Sequence, residues 1–398
     1  MKKVSIIGIG TGAKTLTHEA SEAVEHAEVL LGAPRMLSIC NGFSGRSSPY
    51  YMPEQVAEII AEESAQSFVI LVSGDVGFYS AASDYNTALA AYDLRFIPGV
   101  STVNAFFARL RRPWQEVAFV SAHGRKPNVA DTVRRNRLTF CLTGNNASEL
   151  GAEMCSAGFG HIPTYVGENL GADNESVYEI TAEILASGGL PPLTVLLFEN
   201  EAFDSRTPCG LPDGSFTRLE GVPMTKSETR ALVMSKLNLC PTDICWDVGA
   251  GSGSVTVEMA LSAYHGHVYA VERCTEAAPL IQQNCAAFHI GNVTVIQGEA
   301  PGALESLPTP DAVFIGGSGG ELPAIFNVIL QNNPHARIVL TAVTIETVSS
   351  ALDVFSKAGL KPKITQISVA RARPVGGLHM MEAQNPITIL SGGNAIEE

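Results

Sequence analysis

Short apolar runs rich in Val, Ile, Leu and Phe alternate along the chain with longer stretches of helical periodicity. "VSIIGI", "AEVLLG", "FVILVS", "LRFIPG", "VAFVSAH", "LTFCLT", "HIPTYVG" and "LTVLLFEN" fill the first 200 residues. The stretches 53–63, 80–91 and 147–157 between them predict helices. Alternation of this kind predicts an α/β fold. It stops after "LLFEN". The run "EAFDSRTPCGLPDGSFTRLEGVPMTK" is rich in Pro, Gly, Ser, Thr and Asp and has no sustained period. A domain boundary is expected there, with a first domain over 1–205, a linker over 206–220 and a second domain over 221–398. The pattern then restarts. A helix is predicted on "MTKSETRALVMSKL" and strands on "DICWDVG", "GHVYAVE", "VTVIQG", "AVFIGG" and "ARIVLTAV". Two β-like runs, "KPKITQISVARARPVGG" and "HMMEAQNPITIL", end the chain. They predict an antiparallel pair closing an otherwise parallel sheet.

Composition narrows the class. The chain has 398 residues, 45% of them hydrophobic and 17% charged, which is the composition of a globular protein. No apolar run reaches the roughly 18–20 residues of a membrane span. "MKKVSIIGIGTG" is broken by glycines and reads as a first strand rather than a leader, so the cytoplasm is the expected location. The net charge of −14 argues against nucleic-acid binding. One segment departs from this balance. Eight basic residues between Arg109 and Arg137 face only Glu116 and Asp131 in sequence, so the segment suits either an anionic small molecule or a solvated surface. Eight scattered cysteines include no CxxC and no zinc spacing, so a reduced protein without a metal is expected.

Candidate chemistry sits in two glycine-rich loops. In "DVGAGSGSVTVE" a strand ends at Asp247, and Gly249, Gly251 and Gly253 then lead into a helix. Glycines there allow a sharp turn and close approach of a ligand to the backbone. Glu272 ends the next strand, where an acid can accept hydrogen bonds from ribose hydroxyls. NAD and S-adenosylmethionine both suit these features. Ser254 stands where a dinucleotide site favours Gly or Ala, which tilts the reading to S-adenosylmethionine. Gly316 and Gly317 in "FIGGSGG" leave room for a bulky substrate.

The ordered motifs "GVPMTKSETRALVMSKL", "DVGAGSGSVTVE", "VYAVER", "GEAP", "DAVFIGGSGG" and "RPVGGLHMMEAQNPI" resemble the methyltransferases of the cobalamin pathway that act on precorrin-6B. The resemblance covers most of 221–392. It implies a Rossmann-like domain whose cofactor contacts are Thr225, Gly249, Ala250, Gly251, Ser252, Gly253, Glu272 and Ala300.

The first loop, "GIGTGAKTLTHEA", lacks an acid at the end of the second strand, which ends in Gly32. Polar glycine turns recur instead after later strands, in "LVSGDVGFYS" and "FIPGVSTVNAF", and predict one shared cleft. The motifs "GIGTG", "SGDVGFY", "PGVST" and "SAHGR" resemble the tetrapyrrole methylases over about residues 1–200. That resemblance implies two α/β lobes with a cofactor cleft between them, and contacts from Ser73, Gly74, Asp75, Phe78, Ser101 and Thr102. Thr11 and Val76 replace prolines usual in the family, so weaker preorganisation of the loops is expected.

Together the two resemblances imply a fusion of unrelated methyltransferases with two S-adenosylmethionine sites. Such a fusion methylates carbons 5 and 15 of precorrin-6B, or its cobalt form, and decarboxylates an acetate arm. The reduced ring is itself a carbon nucleophile, so alignment is the main demand on the enzyme. His379 and Glu382 are candidate proton donors for the decarboxylation. A polycarboxylate tetrapyrrole calls for basic contacts, for which Arg109, Arg112, His123 and Arg125 in the first half and Arg371 and Arg373 in the second are candidates. A homo-oligomer is expected from both resemblances. The rival readings are an NAD-linked oxidoreductase and a non-catalytic adenosyl-ligand or tetrapyrrole carrier with one decayed half.

Overall fold

The structure, a computed structural model, describes residues 1–393 other than Asn41, Arg125, Leu193 and Pro208. The chain divides into two compact units. One comprises Met1–Arg125, Leu138–Leu150 and Ile162–Asn200, and the other Lys126–Arg137, Gly151–His161 and Glu201–Glu398.

The first unit holds two five-stranded sheets. β1 (Lys3–Gly8), β2 (Val29–Gly32), β3 (Arg46–Ser48), β4 (Ser67–Val72) and β5 (Asp93–Ile97) form a parallel sheet in the order β3-β2-β4-β1-β5. Its central strands are covered on both faces, which is why "VSIIG" and "SFVILV" read as nearly continuous apolar runs. Val4, Ile6, Phe68 and Ile70 pack on one face, and Ile7, Val69 and Leu71 on the other. The crossover helix His18–Glu25 starts where Thr17 accepts a hydrogen bond from the Ala20 amide at 3.2 Å.

β6 (Ala118–Ser121), β7 (Leu138–Leu142), β8 (Pro163–Glu168), β9 (Ser176–Thr181) and β10 (Val195–Glu199) form the second sheet, in the order β6-β7-β10-β8-β9. Only β6 and β7 run parallel there. An aromatic core of Phe106, Phe107 and Phe140 fills its inner face.

The second unit is built on a seven-stranded sheet. Its strands are β11 (Ile244–Val248), β12 (His267–Glu272), β13 (Val293–Gln297), β14 (Ala312–Ile315), β15 (Arg337–Ala342), β16 (Lys363–Ile367) and, after a separate ribbon of β17 (Ala370–Val375) and β18 (Leu378–Ala383), β19 (Ile387–Gly392). The order is β13-β12-β11-β14-β15-β19-β16. The first five are parallel, while β19 runs antiparallel to both β15 and β16. The strand order reverses between β11 and β14, and a crevice opens there beyond the strand ends. The helix Ser254–Ser262, which follows the glycine loop, is buried on nearly every face, so it shows no amphipathic stripe.

The sequence reading of the C-terminus needs one correction. Each of the two predicted runs splits in two. The outer parts join the sheet antiparallel, as expected, but "ARARPV" and "LHMMEA" pair only with each other.

Candidate active sites

In the second unit, the loops after β11, β12, β13 and β14 enclose a cavity of about 370 Å³. Thr225, Gly249, Ala250, Gly251, Glu272, Ala300, Gly316 and Gly317 all line it. Ser252 and Gly253 do not. Ser252 is buried, and Gly253 turns the chain into the following helix at φ 77°, close against Ile281. Gly249 and Gly251 both have positive φ, and backbone crowds each of them. A Cβ on Gly249 would lie 2.7 Å from the Gly317 carbonyl oxygen, and one on Gly251 2.5 Å from that of Pro223.

The loop is held from inside the protein. The Gly249 and Ala250 amides donate to the Val271 carbonyl, at 2.9 and 3.2 Å. The Gly251 amide donates to Glu272 Oε2 at 2.8 Å, and the Ser252 amide to the Pro223 carbonyl at 3.0 Å. Four backbone amides of the loop are therefore engaged within the protein. The one Arg or Lys in the described lining, Arg273, lies 3.3 Å from Glu299. A lining with so little free positive charge is poorly suited to a pyrophosphate. The "PMTK" segment is fixed by the fully buried Arg230, which donates to the Thr225 carbonyl and, at 2.5 Å, to the buried Glu258.

Asp247 ends β11 beneath this loop. Its Oδ2 accepts from Thr256 at 2.5 Å, while Oδ1 has no partner among the described residues. Burial pushes its pKa up to about 7, helped by the nearby Glu272 charge and opposed by the Thr256 hydrogen bond.

In the first unit, a cavity of about 1050 Å³ is lined by loops of both sheets. Ser73, Gly74, Asp75, Phe78, Thr102 and His123 line it. Ser101 does not; it caps the helix Thr102–Leu110 by accepting from the Asn104 amide at 3.1 Å. Asp75 staples two loops together, its carboxylate accepting from the Gly77 amide at 2.8 Å and the Gly99 amide at 3.1 Å. Phe78 packs edge-on against Phe119, 5.5 Å between ring centres, and the Tyr79 hydroxyl donates to the Phe119 carbonyl at 3.1 Å. One polar loop thereby joins the two sheets.

Two family models match the chain: "Tetrapyrrole (Corrin/Porphyrin) Methylases" over residues 3–186 and "Precorrin methyltransferase domain" over residues 218–393. One curated relative spans both. The precorrin-6Y C(5,15)-methyltransferase [decarboxylating] of Sinorhizobium sp. is 31% identical over 396 residues, covering 97% of this chain and 95% of that protein. The chain belongs to the decarboxylating precorrin-6Y C5,15-methyltransferase family. The cobalt-precorrin-6B C(15)-methyltransferase (decarboxylating) of Salmonella typhimurium is 37% identical over 183 residues, 46% of this chain and 94% of its own. A crystal structure of precorrin-6y C5,15-methyltransferase from Geobacter metallireducens is 34% identical, with a TM-score of 0.44 over 46% of this chain and 97% of its own.

Among the expected departures from the tetrapyrrole methylase pattern in this decarboxylating precorrin-6Y methyltransferase is Thr11 in place of a proline, and the structure shows what Thr11 adds. Its amide donates to Thr15 Oγ1 at 2.9 Å, as the Gly12 amide does at 3.1 Å, and Thr15 Oγ1 donates on to the Gly12 carbonyl at 2.8 Å. Proline has no such N–H, so this loop is held by hydrogen bonds instead. Val76 packs beside the core of the first sheet.

Of the predicted basic contacts, His123 lines the larger cavity, while Arg109, Arg112, Arg371 and Arg373 lie elsewhere. Arg109 binds Glu175 at 2.5 Å, and Arg112 binds Glu199 at 2.8 Å and the Tyr165 hydroxyl. Arg134 and Arg137 likewise hold Asp131 and Glu201. Much of the basic segment is thus neutralised at close range. Arg371 binds Asp213 at 3.0 Å and Glu228, whose pKa it holds down to about 2. Arg373, His379 and Glu382 sit on the exposed ribbon, with Arg373 3.6 Å from Glu382. None of these residues lines either cavity. Arg125 lies outside the described residues.

Sequence reasoning missed Arg35, which lines the larger cavity with Nη2 3.2 Å from Ser73 Oγ. The signal was present in "LLGAPR", directly after β2, but an acid was sought at that strand end. Among the described residues there is no cluster of three or more His, Cys, Asp or Glu placed to hold a metal ion, and no helix long and apolar enough to cross a membrane.

Proposed function

We propose that the chain uses S-adenosylmethionine to methylate precorrin-6B, or its cobalt form, at carbons 5 and 15, and that it decarboxylates the C12 acetate arm to give precorrin-8. The observation that carries this reading is the pair of separate cavities, each lined by most of its expected cofactor residues, in a chain that matches a decarboxylating C5,15-methyltransferase over 97% of its length. Each cavity takes one S-adenosylmethionine, giving two per chain. When bound, the cofactor supplies an electrophilic methyl group.

The chain's own residues do the positioning. Glu272 accepts from the ribose hydroxyls, and Gly249 to Gly251 let the ligand lie against the backbone. Gly316 and Gly317 keep the approach open; nothing lies within 4 Å of where a Gly317 Cβ would be. In the other cavity the Asp75 staple and the Phe78 anchor hold the loops that receive the second cofactor. Alignment of a nucleophilic ring carbon can supply roughly 7–11 kcal/mol of the acceleration. This suits cavities lined by backbone, hydroxyls and few charges.

The chain works in the cytoplasm and self-associates. Exposed Leu378, Met380 and Met381 on the ribbon support association.

Mass spectrometry of precorrin-6B incubated with the protein and S-adenosylmethionine tests the reading. Gain of two methyl groups with loss of carbon dioxide is expected. Thermal stabilisation by NAD and not by S-adenosylhomocysteine would overturn it.

A further inference from the structure

We propose that Arg35 receives a carboxylate of the tetrapyrrole in the larger cavity and thereby selects which acid-bearing substrate that cavity accepts. The inference rests on the function proposed above.

Arg35 is the one Arg or Lys in the described lining of that cavity. It lies in the short helix Pro34–Leu37, directly after β2, and is exposed. Its guanidinium meets the Ser73 hydroxyl at 3.2 Å. Among the described residues no carboxylate lies within 4 Å of it. Four other arginines of the same unit are matched, Arg46 to Glu63 at 2.8 Å, Arg95 to Glu19 at 2.7 Å, Arg109 to Glu175 and Arg112 to Glu199, and Arg111, which has no ion pair among the described residues, does not line the cavity. Arg35 therefore brings an unneutralised charge and a planar fork of N–H donors to the cavity, the group best matched to a carboxylate.

The acids of the lining do not compete for it. Asp75 is occupied by the two backbone amides of its staple, and Asp84 forms no ion pair among the described residues. The second sheet contributes Ser121, His123, Thr143 and Thr194 to the lining, with the Thr143 and Thr194 hydroxyls donating to the Thr194 and Pro191 carbonyls. Two ligands can bring a carboxylate here: an acid arm of the tetrapyrrole, or the methionine end of the cofactor. Volume favours the first. At about 1050 Å³ the cavity is close to three times the 370 Å³ of the cofactor cavity in the other unit. It therefore has room for a substrate beside the cofactor.

Arg35→Ala and Arg35→Lys test the assignment in the full chain. The readouts are the KM for precorrin-6B of each of the two methylations, followed by mass spectrometry, and S-adenosylhomocysteine affinity by calorimetry. Arg35→Ala is expected to raise the KM of one methylation about 10- to 100-fold, as for loss of a charged hydrogen-bond pair. Its S-adenosylhomocysteine affinity stays within about threefold of the unmodified chain. Arg35→Lys recovers part of the KM, because it keeps the charge and loses the fork. Loss of S-adenosylhomocysteine binding with both KM values intact assigns the carboxylate to the cofactor and overturns the proposal. No change in either readout overturns it too. A wild-type chain that adds no methyl group to precorrin-6B overturns the proposed function and this inference together, whereas failure of Arg35 alone leaves the function standing.

Discussion

Both carboxylate oxygens of Glu272 are engaged by backbone, Oε2 by the Gly251 amide at 2.8 Å and Oε1 by the Cys274 amide at 2.9 Å. A carboxylate accepts about four hydrogen bonds, so two acceptor positions remain for ribose hydroxyls. Glu272→Ala removes them and also frees the glycine loop. Affinity for S-adenosylhomocysteine in the smaller cavity is expected to fall about 10- to 150-fold, the equivalent of roughly 1.5–3 kcal/mol. Calorimetry showing two unaltered sites removes Glu272 from the cofactor contacts. Asp247, close by, makes a prediction in pH. Its pKa rises from 3.8 to about 7 on folding because burial penalises the charged carboxylate. The folded state therefore holds a proton that the unfolded state releases. The stability this confers is fully present below about pH 4 and drains away as pH rises to about 7. Asp247→Asn carries no such proton. Its stability relative to wild type should rise between pH 4 and 7, as read from urea unfolding of the ligand-free protein. A constant difference across that range contradicts the buried neutral carboxyl.

At the level of elements, the strands were legible because parallel strands covered on both faces leave nearly unbroken apolar runs, as in "FVILV" and "AVFI". The glycine loops were legible because backbone crowding at Gly249 and Gly251 admits no side chain. The fates of the arginines were not legible. Arg109 meets an acid 66 residues away and Arg112 one 87 residues away, and no local pattern carries such pairings. The segment expected to be a linker carries a short 3-10 turn at Asp213–Ser215, and its backbone is bound. The buried Glu258 accepts from the Gly210 amide at 2.8 Å and the Leu211 amide at 2.7 Å. Asp213 accepts from the Ser227 amide at 2.9 Å, and the Thr217 amide donates to Asn284 at 2.8 Å. A boundary placed before residue 206 keeps these contacts, whereas a cut at 216 leaves Glu258 buried with Arg230 and without its two amides. Unmet buried charge is costly even where the ion pair itself adds little. A fragment of residues 206–398 should therefore unfold at higher urea than one of 216–398, by at least about 2 kcal/mol. Equal stabilities would mean that the 210–213 segment is an ornament of the fold.

Over the whole molecule, two cavities of unequal size lie on unrelated sheets. We propose that the smaller cavity serves methylation of carbon 15 with decarboxylation, and the larger one methylation of carbon 5. A clean test needs variants that close one cavity and spare the fold. Gly251→Val is unsuitable, because even its Cβ would strike the Pro223 carbonyl that the Ser252 amide binds. Gly317 is the better position. It lines the same cavity with open space around it, so Gly317→Leu fills room meant for ligand. Asp75→Ala acts on the other cavity by releasing the Gly77 and Gly99 amides and loosening the loop that carries Ser73 and Phe78. With precorrin-6B and S-adenosylmethionine, Gly317→Leu should yield a product with one added methyl that retains its acetate carboxyl. Asp75→Ala should also add one methyl, but release carbon dioxide. Both products are told apart by mass, and carbon-13 in the donor methyl locates the methylated carbon by NMR. If Gly317→Leu still releases carbon dioxide while Asp75→Ala does not, the assignment is reversed. If either variant abolishes both reactions while the protein stays folded, the two cavities do not work as separate sites.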